Sequence, residues 1–344
     1  MSTKIEWTNE TWNPIIGCSP VSPGCKNCYA EKMAFRLGSM KLERCISALN
    51  YSVVVNWKTK KWNGKTQFVS QAIEKPLSWR KPRMIFVCSM GDLFHESVPF
   101  EWIDKVMAVI ACTPQHTYQI LTKRPHRMAE YFNQGKEMLI ARWEDAVYEL
   151  GLCDKNDDPD AAACHVNNRA DREWPLKNIW LGVTAENQEM VNKRVPFLLN
   201  IPAAIRFVSV EPMLGAVDLS IYMATGWTEP PYDDIINWVI CGGESGINAR
   251  PVNHNWVENL KNQCNKYETC LFFKQWGEWI PVNEVPKSWG NQADLKGTHR
   301  WVNEIDGKDT GTRPGHMTIR VGKKKAGCTL NGKEYKQFPN TATV

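Results

Sequence analysis

One stretch decides how this chain folds: TWNPIIGCSPVSPGCKNCYAE, residues 11–31. Its first residues, Thr11–Ile16, form a short apolar run of the kind found in buried strands. After this run, Cys18, Cys25 and Cys28 lie within eleven residues. The loop that contains them is rich in glycine and proline, which lets three sulfurs converge. Such spacing is typical of soft-metal or iron–sulfur ligation rather than of packing, so the sequence predicts a metal centre at a strand end.

Length and composition restrict the class of protein. The chain has 344 residues and is 43% hydrophobic, which is enough for one large domain or two smaller ones. No run approaches the roughly 18–20 apolar residues that span a bilayer, so no membrane partner is expected. The first residues, MSTKIEWTNETWNP, contain no apolar signal core, and export is not expected either. Twelve cysteines in such a chain therefore predict reduced thiols rather than disulfides.

Positive charge is concentrated in two runs, although the net charge is only +5. Residues 45–73 contain four lysines and no acid, and residues 319–344 contain six cations against one acid. Aromatic residues such as Trp57 and Trp62 lie among these cations, and nucleic acid bases stack on such rings. An ordinary solvated face is the alternative for each run. The candidate nucleic-acid-binding residues are Lys58, Lys60, Lys61, Lys65, Lys323, Lys324 and Lys325.

Strand-like apolar runs alternate with amphipathic runs along most of the chain, which predicts an α/β fold with a parallel sheet, arranged as an open or partial βα barrel. The predicted strands are Thr11–Ile16, Met84–Ser89, Thr117–Thr122, Ile179–Thr184, Ile205–Val210, Asn237–Cys241 and Cys270–Phe273. The predicted helices are 29–38, 100–112, 187–200 and 255–268.

Three segments interrupt this alternation. The predicted barrel covers residues 1–275, with a basic insertion at 39–66 and a polar insertion at 153–175. Residues 276–344 lose the alternation and become rich in glycine, proline and lysine. We therefore expect a C-terminal extension containing short strands such as HMTIRVG.

Polar or glycine-containing segments follow every predicted strand. Because the carboxyl ends of parallel strands meet at one edge, these residues are expected to form one site. A carboxylate there suits an ammonium group, and a second acid suits ribose hydroxyls. The segments are Ser89-Met90-Gly91-Asp92, Lys123-Arg124, Glu186, Glu211, Glu244 and Lys274.

The cysteine pattern leaves more than one kind of metal site open. Three thiolates hold three irons of a four-iron cluster and leave the fourth iron open for a ligand. A tetrahedral zinc site instead takes a fourth ligand, and no second CxxC pair occurs in the chain. Zinc held by three thiolates and a water, and unliganded core cysteines, remain alternatives. The candidate histidine ligands are isolated: His95, His116, His126 and His165.

With these motifs the sequence resembles the radical S-adenosylmethionine enzymes. It resembles more closely a phage-associated three-cysteine-motif family labelled as a domain of unknown function, which is similar to the spore-photoproduct-lyase branch. Six residues separate Cys18 from Cys25, where the superfamily commonly has three, and Asn27 replaces the usual aromatic residue. The matching stretches are TWNPIIGCSPVSPGCKNCYAEKMA, FVCSMGDLFHESVP, LTKRP, IWLGVTAENQ, RFVSVEPMLGAVDL, WVICGGESGINARP, FFKQWGEW and RVGKKKAGCTLNGKEYKQFP.

The resemblance implies a 4Fe–4S cluster and S-adenosylmethionine as cofactors. The cluster ligands would be Cys18, Cys25 and Cys28. The motif that binds the amino group of S-adenosylmethionine would be Ser89, Met90, Gly91 and Asp92. The carboxylate would pair with Lys123 or Arg124, the ribose with Glu186, and the adenine would stack on Tyr29.

The resemblance also implies the reaction class. A 5′-deoxyadenosyl radical would abstract hydrogen from a substrate, with Glu211, Glu244 and Lys274 as candidates for substrate contact or proton handling. The expected function is rearrangement or modification of a base in phage DNA, of isomerase or lyase type, with hypermodified thymidine as one candidate base. A flavodoxin or ferredoxin would donate electrons, in the cytoplasm of the cell or of the phage host.

Three alternatives remain at this point. One is a repair lyase acting on a photoproduct, with Cys88 or Cys241 as a thiol hydrogen donor. Another is a zinc-stabilised nucleic-acid-binding protein without catalysis. The third is a subunit that binds DNA and recruits another modifying enzyme.

Overall fold

The computed structural model describes most of the chain: residues 3, 5–40, 48–152, 166, 173–224, 235–289, 298–303, 307–308, 310 and 315–340. Of the predicted polar insertion 153–175, only residues 166 and 173–175 are among them. Residues 41–47 of the predicted basic insertion also lie outside the described residues.

Seven parallel strands form one sheet in which spatial neighbours follow the order of the chain. Each strand is short, continuous and apolar, as expected for strands that are buried on both faces. The predicted α/β fold with a partial barrel is confirmed at this level. The strands are β1 (Glu10–Trp12), β2 (Met84–Val87), β3 (Thr117–Thr122), β4 (Ile179–Thr184), β5 (Ile205–Val210), β6 (Trp238–Gly242) and β7 (Cys270–Gln275).

The first predicted strand, Thr11–Ile16, is wrong in one respect, because the structure divides it. Only β1 joins the main sheet, where it pairs with β2. Ile15–Ile16 instead pairs antiparallel with Gln67–Phe68, directly after the predicted basic insertion 39–66. Pro14 explains the break, since a proline has no N–H to donate to a strand ladder.

The four predicted helices are present, and the described residues between β3 and β4 include two further long helices. Pro125 begins one of the additional helices, at the position where a proline is favoured because its missing N–H costs nothing. The longer helices are α1 (Tyr29–Gly38), α2 (Phe100–Cys112), α3 (Pro125–Phe132), α4 (Lys136–Glu149), α5 (Gln188–Leu199) and α6 (His254–Lys266). Short helices cover Ala48–Ser52, Ser70–Ile73, Ser220–Met223 and Lys323–Ala326. Within the described part of the chain, no helix is both long and apolar enough to cross a bilayer.

Two hydrophobic layers lie on opposite faces of the sheet. The larger packs the outward side chains of the strands against the helices. The smaller is aromatic, and because side chains alternate along a strand it fills the concave face. Its edge-to-face contacts include Trp180 on Trp238, with ring centroids 5.6 Å apart. Its buried members are Trp7, Phe86, Trp180, Ile205, Phe207, Trp238, Ile240 and Phe272.

The C-terminal extension covers the free edge of β7. Phe273 N–H donates to the Tyr335 carbonyl at 2.8 Å, and Gln337 N–H donates to the Leu271 carbonyl at 3.0 Å. Such pairing protects an edge that would otherwise pair with another chain. The predicted short strand is present as His316–Arg320, between Trp279–Pro281 and His299–Val302 in an antiparallel sheet. A further pair joins Thr329–Leu330 to Lys333–Glu334.

His254 ties the extension to the barrel. Its Nε2 donates to Glu284 at 2.8 Å, its Nδ1 lies 3.7 Å from Glu258, and its ring stacks on Trp276. Burial lowers the pKa of His254, but the hydrogen bond to Glu284 and the charges of Glu284 and Glu258 outweigh it, and the net pKa is raised. A raised folded-state pKa means that His254 stabilises the fold most below its unfolded pKa of about 6.5.

We therefore expect His254→Gln to lower the free energy of unfolding by about 1.5–3 kcal/mol at about pH 6. The difference from wild type should shrink as pH rises through the raised pKa of His254. Urea unfolding of both proteins at about pH 6 and about pH 9 measures this. His126→Gln, at an exposed position on α3, is the matched control. A difference that grows with pH would contradict the assignment.

Candidate metal centre at the carboxyl edge of the sheet

The three cysteines lie on one loop at the carboxyl edge of the sheet, between Gly17 and α1. Gly17 adopts a φ of +94°, and a Cβ there would lie 2.3 Å from the Lys65 carbonyl, so only glycine fits. A short 3-10 turn at Pro23–Cys25 then folds the loop back, and Cys28 N–H donates to the Cys25 carbonyl at 3.2 Å. All three thiols are free and half-buried. The loop therefore presents three sulfurs near the surface.

The segment after β2 lies directly beside this loop. The Asn13 side-chain oxygen accepts from Ser89 Oγ at 3.1 Å and from Met90 N–H at 2.9 Å. Gly17 N–H donates to the Met90 carbonyl at 3.1 Å. Tyr29, at the start of α1, donates its hydroxyl to the Ser89 carbonyl at 2.8 Å. The predicted S-adenosylmethionine motif and the cysteine loop thus form one unit at the edge of the sheet.

Gly91 allows this close approach. A Cβ at Gly91 would lie 3.0 Å from the Gly17 carbonyl oxygen and 3.1 Å from that of Ile15, and both are backbone atoms. We expect Gly91→Ala to lower the free energy of unfolding by about 1–3 kcal/mol, because neither backbone segment can move cheaply. Gly215→Ala is the control, since its Cβ would make an ordinary 3.4 Å contact with Asn187. Urea unfolding measures both, and equal losses would refute the close-approach argument.

The predicted basic insertion supports the loop from below. Cys18 and Cys28 pack against a small hydrophobic cluster that includes Met90. This cluster is separate from the main core and joins the insertion to the cysteine loop. Its buried members are Ile16, Ala30, Ala34, Tyr51, Val54, Val55, Trp62, Val69 and Met90.

Arg124 binds the first cysteine and its neighbour from within the protein. Only 1% of its surface is exposed. Its guanidinium donates to Asp92 at 3.0 Å, to Glu96 at 2.7 Å, and to the Ser19 carbonyl and hydroxyl at 3.0 and 2.8 Å. A further N–H lies 3.6 Å from Cys18 Sγ and donates to it. Arg124 therefore connects the loop after β3 to the cysteine loop.

The Cys18 thiol is protonated in this environment. Burial and, next, the charge of Asp92 raise the pKa of the thiol to about 12, although Arg124 opposes them. Metal ligation requires the thiolate, so a metal bound at Cys18 must displace this proton.

His95 completes the contacts of Ser19. Ser97 N–H donates to His95 Nδ1 at 3.1 Å, so the ring proton is on Nε2, which donates to Ser19 Oγ at 2.9 Å. Burial and then the charge of Arg124 lower the pKa of His95, which keeps the ring neutral. His95 thus positions the loop as a hydrogen-bond donor.

Glu186, after β4, is fully buried beneath the middle of the cysteine loop. Its Oε1 accepts from Gly24 N–H at 3.0 Å, and its Oε2 accepts from Arg194 at 2.9 Å. Burial raises the pKa of this carboxyl, but the hydrogen bond from Ser22 and the charges of Arg194 and Lys123 outweigh it and lower the pKa. Glu186 is therefore ionised.

Glu244, after β6, binds the last part of the loop. Its carboxylate accepts from Asn27 at 2.9 Å and from the Arg250 guanidinium at 2.6 and 2.8 Å. Arg250 also donates to the Pro23 carbonyl at 3.1 Å. Burial raises the pKa of Glu244, but the hydrogen bonds from Arg250 and Asn27 outweigh it and lower the pKa. Both ends of the loop are thus held by charged groups from different strands.

These contacts show where the predicted site residues lie and which groups they bind. Arg124, Glu186 and Glu244 lie at the predicted edge and hold the cysteine loop. Asp92 lies at the same edge, where its carboxylate accepts from Thr122, Lys123 N–H and Arg124 after β3. We interpret them as positioning residues, and their predicted contacts with cofactor or substrate stay predictions.

Sequence reasoning missed the partners of these residues. Glu244 and Arg250 lie six residues apart in one glycine-containing segment, and Arg194 lies on the helix that follows Glu186. An acid followed by an arginine across a strand-end loop was the signal that could have found these pairs. The residues absent from the sequence predictions are Asn13, Arg194 and Arg250. Asn27 and His95 were noted in the sequence, but not as supports of the cysteine loop.

Other predicted residues lie above the aromatic layer, at the opening of the half-barrel on the carboxyl edge of the sheet, which we call the mouth. Glu211 and Lys274 form an ion pair at 2.7 Å, and both side chains are largely buried. Lys123 makes no hydrogen bond or ion pair through its ammonium among the described residues. Of the two predicted partners for an incoming carboxylate, Lys123 is the one that is available.

The two basic runs lie on different elements. Lys58, Lys60, Lys61 and Lys65 are exposed on the segment that packs on α1. Lys323, Lys324 and Lys325 are exposed on a short helix that contacts Trp279–Pro281 of the extension. Partial burial and then Lys274 lower the pKa of Lys323, so this lysine is near the mouth rather than on a remote face.

The three cysteines supply metal-binding chemistry without forming a metal site that the geometry identifies. Among the described residues, no group of three or more His, Cys, Asp or Glu side chains is arranged to hold a metal ion, and the three thiols do not form such a group. Free thiols on one loop are the donors that soft metals and iron–sulfur clusters take. Ligation of a cluster or of a single ion by these thiols stays a prediction.

Comparison with known proteins identifies a family for the chain but no activity. A family model described as "Protein of unknown function (DUF5131)" matches residues 2–339. No curated protein and no solved structure matches the chain.

Proposed function

Since the chain belongs to this family, DUF5131, whose function is unknown, we propose from its site that it is a radical S-adenosylmethionine enzyme that modifies or rearranges a base in DNA. The observation that carries the proposal is the cysteine loop. Its three free thiols are held at the carboxyl edge of a parallel half-barrel by groups that follow β2, β3, β4 and β6.

Cys18, Cys25 and Cys28 would hold the 4Fe–4S cluster, which would supply the electron for reductive cleavage of S-adenosylmethionine. A structural metal site would need only its ligands. Here Arg124 and Glu186 also fix the loop backbone at Ser19 and Gly24, and Glu244 fixes the Asn27 side chain, which favours a centre that must be oriented toward a ligand.

The residues of the mouth suit an S-adenosylmethionine molecule and a substrate together. Lys123 offers a cation for a carboxylate, and the carbonyl of Ser89 is held in place by Tyr29. Glu211 and Lys274 form an ion pair in which Glu211 can accept a proton from a substrate and Lys274 can donate one, and only the two transfers together leave the net charge of the pair unchanged. The aromatic layer below them excludes water from the concave face.

The repair-lyase alternative receives less support. Cys88 and Cys241 are only 4% and 0% exposed, and each belongs to the outer core. Burial raises the pKa of the Cys88 thiol to about 12 and raises that of Cys241 as well. A thiol enclosed on the helix side of the sheet is poorly placed to donate hydrogen to a substrate in the mouth.

Anaerobic incubation of the reconstituted protein with dithionite and S-adenosylmethionine tests the proposal. We expect 5′-deoxyadenosine to form, and a mass shift to appear in nucleosides digested from phage DNA added to the reaction. A colourless protein with stoichiometric zinc would identify the zinc-stabilised alternative. DNA binding without cleavage of S-adenosylmethionine, in protein with a full complement of iron, would identify a recruiting subunit.

A further inference from the structure

One exposed surface beside the metal centre combines cations with apolar side chains. It consists of the outer face of α1 and the adjoining segment 55–62, and we call it the α1–hairpin face. Tyr29, Lys32, Met33 and Arg36 are all exposed, and their spacing of three, four and seven residues places them along one side of the helix. Tyr29 and Met33 expose 56% and 40% of their surface.

The segment 55–62 continues this face at the far end of the helix. Val55–Asn56 and Lys61–Trp62 form a small antiparallel pair, and Trp62 N–H donates to Glu31 of α1 at 3.2 Å. Trp57 packs on Phe35 with ring centroids 5.6 Å apart, yet 48% of its surface is exposed. The hairpin is thus joined to α1 while one indole face stays open.

The charge of this face is of one sign. Within residues 26–40 and 48–73 the only acidic residue is Glu31, which is buried. The exposed cations of the same residues are Lys26, Lys32, Arg36, Lys58, Lys60, Lys61 and Lys65. A surface with this imbalance complements a polyanion.

The kind of polyanion follows from the exposed rings. Backbone phosphates pair with cations whether the strand is single or double, but an aromatic ring can stack only on a base that is not already paired and stacked. The face also runs, over the roughly 15 Å length of α1, from Trp57 to Tyr29 beside Cys28. A strand lying along it would bring a base to the mouth.

We propose that the α1–hairpin face binds a single-stranded stretch of DNA, with Trp57 stacking on a base and the flanking cations pairing with phosphates. The inference rests on the proposed function, because it names the form of the DNA substrate and the path by which that strand reaches the mouth. Binding can be measured without turnover, so the two proposals can fail separately.

Fluorescence anisotropy with the full-length holoprotein tests this, using a labelled oligodeoxynucleotide as a single strand and as a duplex of the same sequence. We expect the single strand to bind more tightly. Trp57→Ala should weaken single-strand binding by roughly 5-fold to 100-fold. Lys58→Gln with Lys61→Gln should reduce the slope of log Kd against log salt by roughly 1.4, because each lost lysine–phosphate contact leaves counterion on the DNA that wild type would release.

The control pair Lys81→Gln and Lys177→Gln removes the same charge from exposed positions ahead of β2 and β4, at the opposite edge of the sheet, and should leave the slope unchanged. Photo-crosslinking of wild type to a bromodeoxyuridine oligonucleotide checks the site without any substitution. Crosslinks should fall in peptides containing residues 29–36 and 55–62. Crosslinks confined to Lys323–Lys325, preference for the duplex, or equal loss in the control pair would overturn the proposal, whether or not S-adenosylmethionine is cleaved.

Discussion

Cys25→Ala is expected to remove the metal centre while leaving the fold intact. Cys25 is half-buried, and among the described residues the side-chain hydrogen-bond partner of its sulfur is Ser22 Oγ at 3.8 Å, so little is lost when the sulfur is removed. After anaerobic reconstitution, iron and sulfide should fall from about four of each per chain to near zero. Formation of 5′-deoxyadenosine should fall to the uncatalysed background. Cys18→Ala and Cys28→Ala should behave in the same way.

Cys270→Ala is the matched control for this experiment. Cys270 is also a free, half-buried cysteine, but it lies at the start of β7, at the opposite edge of the sheet from the cysteine loop. Its removal should leave iron, sulfide and 5′-deoxyadenosine formation at wild-type levels. Circular dichroism should show the same helix content in all four variants. Full iron loading in Cys25→Ala would mean that the cluster assignment is wrong.

Arg124→Met is expected to lower the free energy of unfolding by about 3–5 kcal/mol, because it leaves the buried carboxylate of Asp92 without its counter-charge. Asp92 is 5% exposed and lies 3.0 Å from the lost guanidinium. The same substitution removes the hydrogen bonds to Ser19 and should weaken retention of iron by roughly 10-fold to 100-fold. Urea unfolding measures the first effect, and iron release to a chelator measures the second.

A double-mutant cycle separates the two effects of Arg124. Arg124→Met with Asp92→Asn should recover part of the lost stability, since no unpaired charge remains, whereas iron retention should stay weak because Ser19 is still unsupported. Arg142→Met, a partly exposed arginine that pairs with Asp104 at 2.6 Å, is the control. It should lower stability without changing iron retention. Recovery of both properties in the double variant would contradict a positioning role for Arg124.

The strand pattern was readable because burial imposes it. Six of the seven predicted strands lie within two residues of the observed ones, and β3, β4 and β5 coincide with them, because continuous Val, Ile and Phe runs suit strands covered on both faces. The division at Pro14 was less visible. A proline was present in the sequence, but only the pairing of Ile15–Ile16 with Gln67–Phe68 explains where the apolar residues after it go.

The role of the insertion at 39–66, unlike the strands, could not be predicted from the sequence. Its basic composition suggested an excursion outside the barrel, whereas its described residues supply four of the nine buried members of the cluster that packs against Cys18 and Cys28. The carbonyl of Lys65 even sets the requirement for glycine at Gly17. Composition reports what a segment exposes, but it carries no information about the few apolar side chains that a segment contributes to a distant loop.

The sequence by itself determined the parallel α/β architecture, the position of the three cysteines after the first strand, and the gathering of polar residues at one edge. Local periodicity and strand direction are sufficient for these, since they depend on neighbours along the chain. Only the tertiary structure decided what those polar residues do. Arg124, Glu186 and Glu244 each contact a loop more than 100 residues away in the chain, and a carboxylate or guanidinium has the same appearance in a sequence whether it binds a ligand or a backbone amide. Hydrogen-bond geometry distinguishes the two, and it exists only after folding.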